Sequence, residues 1–163
     1  MQALAAVPAR QGSFVEEKHF SALDRPLIAH GTLDYLRPDH FEKTTTDPVP
    51  ERLRVDGDSL SVASGGQTRT LQLSNQLALK PLVDAVLGVL GGDLGELQAH
   101  YQITATGSTH AWRLTLTPTD PQVRQFLAVV RIDGADATPL VFETVQTSGD
   151  IQRMTVTPTA PLG

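Results

Sequence analysis

The amino-acid sequence predicts a mainly β fold with helices, built on a curved antiparallel sheet. Three observations predict it. Short alternations of apolar and polar residues recur from Ile28 to Val156, turn dipeptides punctuate them, and the stretch from Lys80 to Gly92 breaks the period of two. A chain of 163 residues is expected to form a single domain spanning 1–163, burying roughly 70% of its unfolded surface.

The elements follow in order. Between Ile28 and Arg37, the residues Leu33, Tyr35 and Arg37 share one face while Thr32 and Asp34 share the other, as in a half-buried strand that Pro38 ends. Leu53/Val55 and Leu60/Val62 flank Asp56-Gly57, a dipeptide suited to the positive φ angles of a tight hairpin turn. Leu71/Leu73, Tyr101/Ile103, Trp112/Leu114/Leu116, Phe126/Ala128/Val130/Ile132, Phe142 and Met154/Val156 continue the pattern. Turn signals stand at Gly65-Gly66, Gly107-Ser108, Asp133-Gly134 and Ser148-Gly149. Usual strand and loop lengths then give about nine to eleven strands. The similar tetrads ending in Pro118-Thr119 and Pro158-Thr159 are read as strand terminators and not as a repeat.

Lys80 to Gly92 predicts a helix of about three turns, with Pro81 in the first turn and the double glycine as its stop. Leu82, Val83, Ala85, Val86, Leu87, Val89 and Leu90 cover nearly its whole circumference, and Asp84 is the one charge within it. It has no broad polar face for water. Asp93 and Glu96 stand at capping-box spacing for a second short helix, Leu94 to Ala99, and Gln2 to Ala9 is a candidate for a third. An apolar helix crossing a curled sheet gives either a filled core or a lidded apolar cavity, and pattern alone leaves both open.

Composition excludes several functions. A net charge of −5 lacks the surplus of Lys and Arg that a phosphate-binding surface needs, so no nucleic-acid partner is expected. Without cysteine there are no disulfides, thiolate metal sites or cysteine nucleophiles. No apolar run approaches the ~20 residues of a membrane-spanning helix. The N-terminal MQALAAVP lacks the basic region and full apolar core of a signal peptide, as expected of a cytoplasmic chain or of one whose signal has been removed.

Catalytic constellations are thin. His19, His30, His40, His100 and His110 are scattered without metal-binding spacing, so no metal site and no cofactor are expected. Ser64-Gly65-Gly66 is a loop and not a nucleophile elbow, Gly91-Gly92 is no phosphate loop, and Asp56-Gly57-Asp58-Ser59 is too short for an EF-hand. Glu16-Glu17 reads most simply as a charged strand face turned to water.

A set of residues in characteristic order carries a family resemblance: Phe14, Gly31 with Leu33, Arg37-Pro38-Asp39, Phe41, Asp56-Gly57, and the run Trp112-Arg-Leu-Thr-Leu-Thr-Pro118. Together they resemble the LolA-like family of periplasmic carriers of outer-membrane lipoproteins, over most of the chain. The sequence departs from the family at Glu16, where a Gln is frequent, and at Lys43, where a Trp is frequent, and little chain follows the last strand.

The resemblance implies an open or incomplete β-barrel with a helical lid and a non-catalytic carrier of lipid acyl chains, lipoprotein or related lipid. It further implies a periplasmic location, an inner-membrane donor complex and an outer-membrane acceptor; a monomer is expected. Leu33, Tyr35, Leu53, Val55, Leu60, Leu71, Leu73, Trp112 and Leu114 would line the cavity, and Leu82, Val83, Val86, Leu87 and Leu90 would face it from the lid helix. Arg37 would be the gate, since the matching arginine of the family bonds the lid helix at the cavity mouth. The alternatives are a periplasmic binder of another hydrophobic ligand, or an adaptor that docks a protein through a sheet edge or the apolar helix.

Overall fold

The structure, a computed structural model, describes residues 9–20, 22–36, 40–76, 79–91 and 94–158. Six strands, β1 (Ala9–His19), β2 (Leu27–Leu36), β3 (His40–Asp47), β4 (Glu51–Asp56), β5 (Ser59–Ser64) and β6 (Gln67–Gln72), come first. Two helices follow, α1 (Leu79–Gly91) and the single-turn α2 (Leu94–Leu97). Five further strands complete the chain: β7 (Tyr101–Ser108), β8 (Ala111–Pro118), β9 (Leu127–Ala135), β10 (Thr138–Gln146) and β11 (Ile151–Pro158).

All eleven strands join one antiparallel sheet in the order β6-β5-β4-β3-β2-β1-β11-β10-β9-β8-β7. The first six strands form a meander running outward from β1, and the last five form a second meander that returns to β1 through β11. The two edges, β6 and β7, are therefore consecutive in the chain apart from the helical segment that joins them. This is the open, incomplete barrel with a helical lid, and topology dictates the lid's place because the helices must pass from one edge to the other.

Register explains which side is buried. Arg10, Tyr35, Phe41, Val55, Leu60 and Leu71 lie side by side across six strands, and Glu16, Met154, Phe142, Ile132, Leu114 and Ala105 across the other six counted from β1. Cross-strand partners share a face, so these rows line one side of the sheet. The largest fully buried side chains, Leu114, Leu116, Ile132, Val55, Val89 and Val130, come from that face and from α1. Each contributes roughly 1.5 to 3 kcal/mol by leaving water.

Strand assignments from the sequence hold with local corrections. The turn expected at Asp133-Gly134 falls instead at Asp136-Ala137, and Gly134 stays inside β9 opposite Trp112. A Cβ there would collide with the indole, which needs the space to bury itself and donate Nε1–H to the Asp136 carbonyl at 2.9 Å. The turn expected at Gly107-Ser108 lies two residues later, at Thr109-His110. Phe126 precedes β9 on a 3-10 turn and is exposed, while Leu127 takes the buried place; a register shift at Val145/Gln146 offsets the alternation there, and Ala128 is exposed too. Leu73 belongs to a 3-10 turn and not to a strand, yet it remains buried. The second helix stops at Leu97, short of Ala99. Of the N-terminal helix candidate, residues 2–8 lie outside the described residues, and Ala9 opens β1.

Gly134→Ala is expected to lower stability by about 1 to 3 kcal/mol through overpacking against Trp112. Urea unfolding followed by the emission of this sole tryptophan measures it, and an unchanged midpoint would show that the indole has room to move.

Candidate functional site

The site is the apolar concave face together with the helix that crosses it. Ala85, Val89, Leu90 and Gly91 of α1 are buried, whereas Leu82, Val83, Val86 and Leu87 are half-buried and packed against the core. The apolar circumference is thus divided. One stripe seals against the sheet and another keeps partial access to solvent.

Both ends of α1 are held by side chains from distant strands. At the C-terminal end, carbonyls lack intrahelical donors, and Arg10 of β1 supplies one: Nε donates to the Leu90 carbonyl at 2.8 Å. Its Nη2 donates to the Ala137 carbonyl at 2.8 Å, so a single guanidinium ties the helix end to the β9–β10 turn. Burial lowers the Arg10 pKa from its usual value and Tyr35 partly opposes the shift, although a guanidinium stays charged throughout the physiological range. Near the N-terminal end, the Tyr101 hydroxyl of β7 donates to the Pro81 carbonyl at 2.6 Å. Burial first, then the negative charge of Asp84, pushes the Tyr101 pKa above the ordinary phenol range. Asp84 itself pairs with Lys80 one turn back at 3.0 Å.

A polar cluster interrupts the concave face. Glu16, on the parity of Phe14, is buried, with Oε2 accepting from Lys43 Nζ and from Gln152 Nε2, each at 2.5 Å, and Oε1 lying 3.6 Å from Lys18 Nζ. The expectation that Glu16 faces water is therefore wrong, while Glu17 does face it and meets His19 at 3.1 Å. Lys43 reaches Glu16 from β3 across β2, its ammonium 5.2 Å from the Phe14 ring centroid. On the intervening strand Gly31 leaves no room for a Cβ, which would collide with the Thr44 carbonyl oxygen and the Phe14 ring.

The structure gathers the residues expected to line a cavity into one apolar cluster. Leu33, Tyr35, Val55, Leu60, Leu73, Trp112 and Leu114 are buried, with Leu53 and Leu71 half-buried against them. The expected lid residues Leu82, Val83, Val86, Leu87 and Leu90 join the same cluster. Arg37, the expected gate, lies with Pro38 and Asp39 outside the described residues. Among the described residues, no three His, Asp or Glu side chains approach one another closely enough to hold a metal ion.

The family model described as "Outer membrane lipoprotein carrier protein LolA-like" matches residues 1–161. The chain belongs to this family. None of the curated proteins matches it. Among solved structures, a DUF1329 family protein from Desulfovibrio piger superposes with a TM-score of 0.50 at 9% identity, covering 99% of this chain and 90% of that one. A LolA superfamily protein from Nitrosomonas europaea gives 0.45 at 13% identity, covering 95% and 87%. The Pseudomonas aeruginosa MucA/MucB complex gives 0.49 at 20% identity, covering 95% of this chain and 53% of that one, so the chain spans about half the length of the MucB it matches.

In this LolA-like chain, sequence reasoning missed Arg10, Glu16 and Lys43. The signal for Arg10 was its parity with Gly12 and Phe14, which a strand beginning at Ala9 makes visible. The signal for the other two was that both departures from the family pattern exchange in a compatible way, an acid at one and a base at the other.

Two tests follow from the tethers. Arg10→Leu removes two hydrogen bonds made by a charged donor and is expected to weaken the closed position of α1 by about 1 to 3 kcal/mol. Hydrogen exchange should then quicken in α1 amides while sheet amides keep their protection, and unchanged exchange would show that packing alone holds the helix. Tyr101 must stay protonated to remain buried. Its raised folded pKa contributes stability that is fully present below about pH 10, the ordinary phenol value, and is lost as pH rises toward the folded pKa. Thermal melts from pH 8 to 11.5 should show a steeper alkaline decline in the native chain than in Tyr101→Phe.

Proposed function

We propose that the chain is a periplasmic carrier that holds acyl chains of a lipoprotein or related lipid between the concave face and α1 and shuttles them toward the outer membrane. The observation that carries this reading is the half-buried apolar stripe Leu82, Val83, Val86 and Leu87 on a helix tethered to the sheet at both ends. A stripe of this kind gains by being covered, at about 25 cal/mol for each Å² of apolar surface removed from water. An acyl chain slid beneath the helix would cover it. Family membership supports the same reading, and with it a donor at the inner membrane and an acceptor at the outer one.

The mechanism is carriage without chemistry. Loading requires α1 to lift; its Leu90 and Pro81 carbonyls then exchange Arg10 and Tyr101 for water, at a net loss of about 1 kcal/mol per hydrogen bond. The apolar lining, with Leu33, Leu53, Val55, Leu60, Leu71, Trp112 and Leu114 on the sheet side, accepts the chain, and α1 closes over it. Release reverses these steps against an acceptor that binds the chain more tightly.

Titration with a dansylated acyl probe tests this, with energy transfer from Trp112 as the readout. Saturable transfer is expected at protein concentrations of tens of micromolar, where even an affinity of ~10⁴ M⁻¹ begins to show, and its absence counts against a carrier. Val86→Asp or Leu87→Asp should weaken probe binding at least tenfold while circular dichroism shows a folded sheet, since each side chain retains access to water. Global unfolding of both variants would mean that α1 is packed core and not a lid.

A further inference from the structure

The concave face has a charge balance opposite to that of the whole chain. Register places Arg10, Lys18, Lys43 and Arg69 on it against Glu16 and Glu51, four cations to two anions, in a chain of net charge −5. Arg10 is committed to carbonyls of the lid and the β9–β10 turn. Lys43 is placed differently. Its cross-strand neighbours on the same face are Leu33 and Leu53, and Leu53 in turn pairs with Val62, so the ammonium stands in an apolar row beside the expected acyl path.

Glu16 does not neutralise its surroundings. Its one negative charge is shared by Lys43 at 2.5 Å and Lys18 at 3.6 Å, while Gln152 adds a neutral donor, so two ammonium groups surround one carboxylate and the cluster keeps a formal charge of +1. Glu16 is 3% exposed and Lys43 18%, so the lysine is the less enclosed partner. Of its three N–H donors, one meets Glu16 and the Phe14 ring covers another side. A residual positive charge among apolar side chains attracts an anion far more strongly than it would in bulk water.

Resting on the carrier reading above, and on its related-lipid branch because the acyl chains of a lipoprotein are esterified or amidated, we propose that the cargo is an acyl chain ending in a carboxylate, with Lys43 as the group that selects the head and Glu16 as its partner when no cargo is bound. The one N–H donor of Lys43 left without a partner among the described residues suits one carboxylate oxygen better than the several oxygens of a phosphate. Glu16 and the incoming carboxylate compete for the same ammonium.

Competition binding tests this with three ligands of one chain length, a fatty acid, its methyl ester and the monoalkyl phosphate, each displacing the dansylated probe. The native chain is expected to bind the acid about tenfold more tightly than the ester, the scale of one hydrogen bond to a charged group. In Lys43→Met the acid-to-ester ratio should fall to about one, and in Glu16→Gln, which keeps a partner for Gln152 but removes the competing charge, it should rise. Equal binding of acid and ester by the native chain overturns the head-group assignment and leaves the carrier reading standing, whereas no binding of any ligand removes the carrier reading itself. Tighter binding of the phosphate than of the acid overturns the carboxylate assignment. Should Lys43→Met fail to fold, Glu16→Gln still decides, because a purely structural ion pair predicts that its acid-to-ester ratio equals that of the native chain.

Discussion

A sheet of eleven strands that curls without closing leaves an apolar face open to water, and covering that face is the constraint on which the rest of the molecule depends. Because β6 and β7 are the two edges and also neighbours in the chain, the segment between them must bridge the opening. That segment carries the most continuous apolar helix of the sequence. Among the described residues, polar contacts secure this cover at both ends, from Arg10 to Leu90 and Ala137 at one and from Tyr101 to Pro81 at the other. Between those ends Ala85 and Val89 are buried in apolar packing, which has no direction and tolerates sliding.

The buried ion pair obeys a different logic. A carboxylate inside a core is costly unless charge and hydrogen bonds compensate it, and removing one member of such a pair costs about 3 to 5 kcal/mol whereas replacing both by apolar residues is often neutral or stabilising. Glu16 and Lys43 stand at the two positions where the sequence departs from the Gln and Trp frequent in the resembling family, and they meet each other at 2.5 Å. Without Lys43, Glu16 would keep only Lys18 at 3.6 Å and the neutral Gln152, and without Glu16, Lys43 would lose its carboxylate. Together they form a contact that links β1 to β3 over β2, and Gln152 extends it to β11.

Much of the fold was legible because strands with one buried face write their geometry into alternate residues. Leu33 and Tyr35, Leu53 and Val55, and Leu114 and Leu116 sit on the inner face, as their period of two required. Asp56-Gly57 marked its hairpin to within one residue, because the turn needs only local chemistry: Asp56 pairs with Ser59, so the turn residues are Gly57, with a φ of 61°, and Asp58. The errors arose where a distant side chain decided the outcome. Gly134 resembles a turn residue, yet it serves to admit Trp112 from the adjacent strand, and Phe126 yields its place to Leu127 at a shift of register that no local pattern announces. β1 was the least legible strand, since its inner face carries Arg10, Gly12, Phe14, Glu16 and Lys18, of which only Phe14 is a large apolar residue. Those same substitutions place the lid tether and the buried carboxylate there.

On the proposed carrier reading a lid must be stable enough to close and weak enough to open, and the two sets of residues on α1 would divide those tasks. Ala85, Val89 and Leu90 are buried and hold the helix to the sheet without cargo. Leu82, Val83, Val86 and Leu87 are only half-buried, so part of their apolar surface is still available to reward a bound chain. Had all of them been fully buried, cargo would have to displace packed core at several kcal/mol for each large side chain uncovered. Had none been buried, the exposed stripe would favour association between molecules. On that reading, partial burial would keep the difference between empty and loaded states within the few kcal/mol that a small number of hydrogen bonds at the helix ends can offset, which is the condition for a carrier that both takes up its cargo and lets it go.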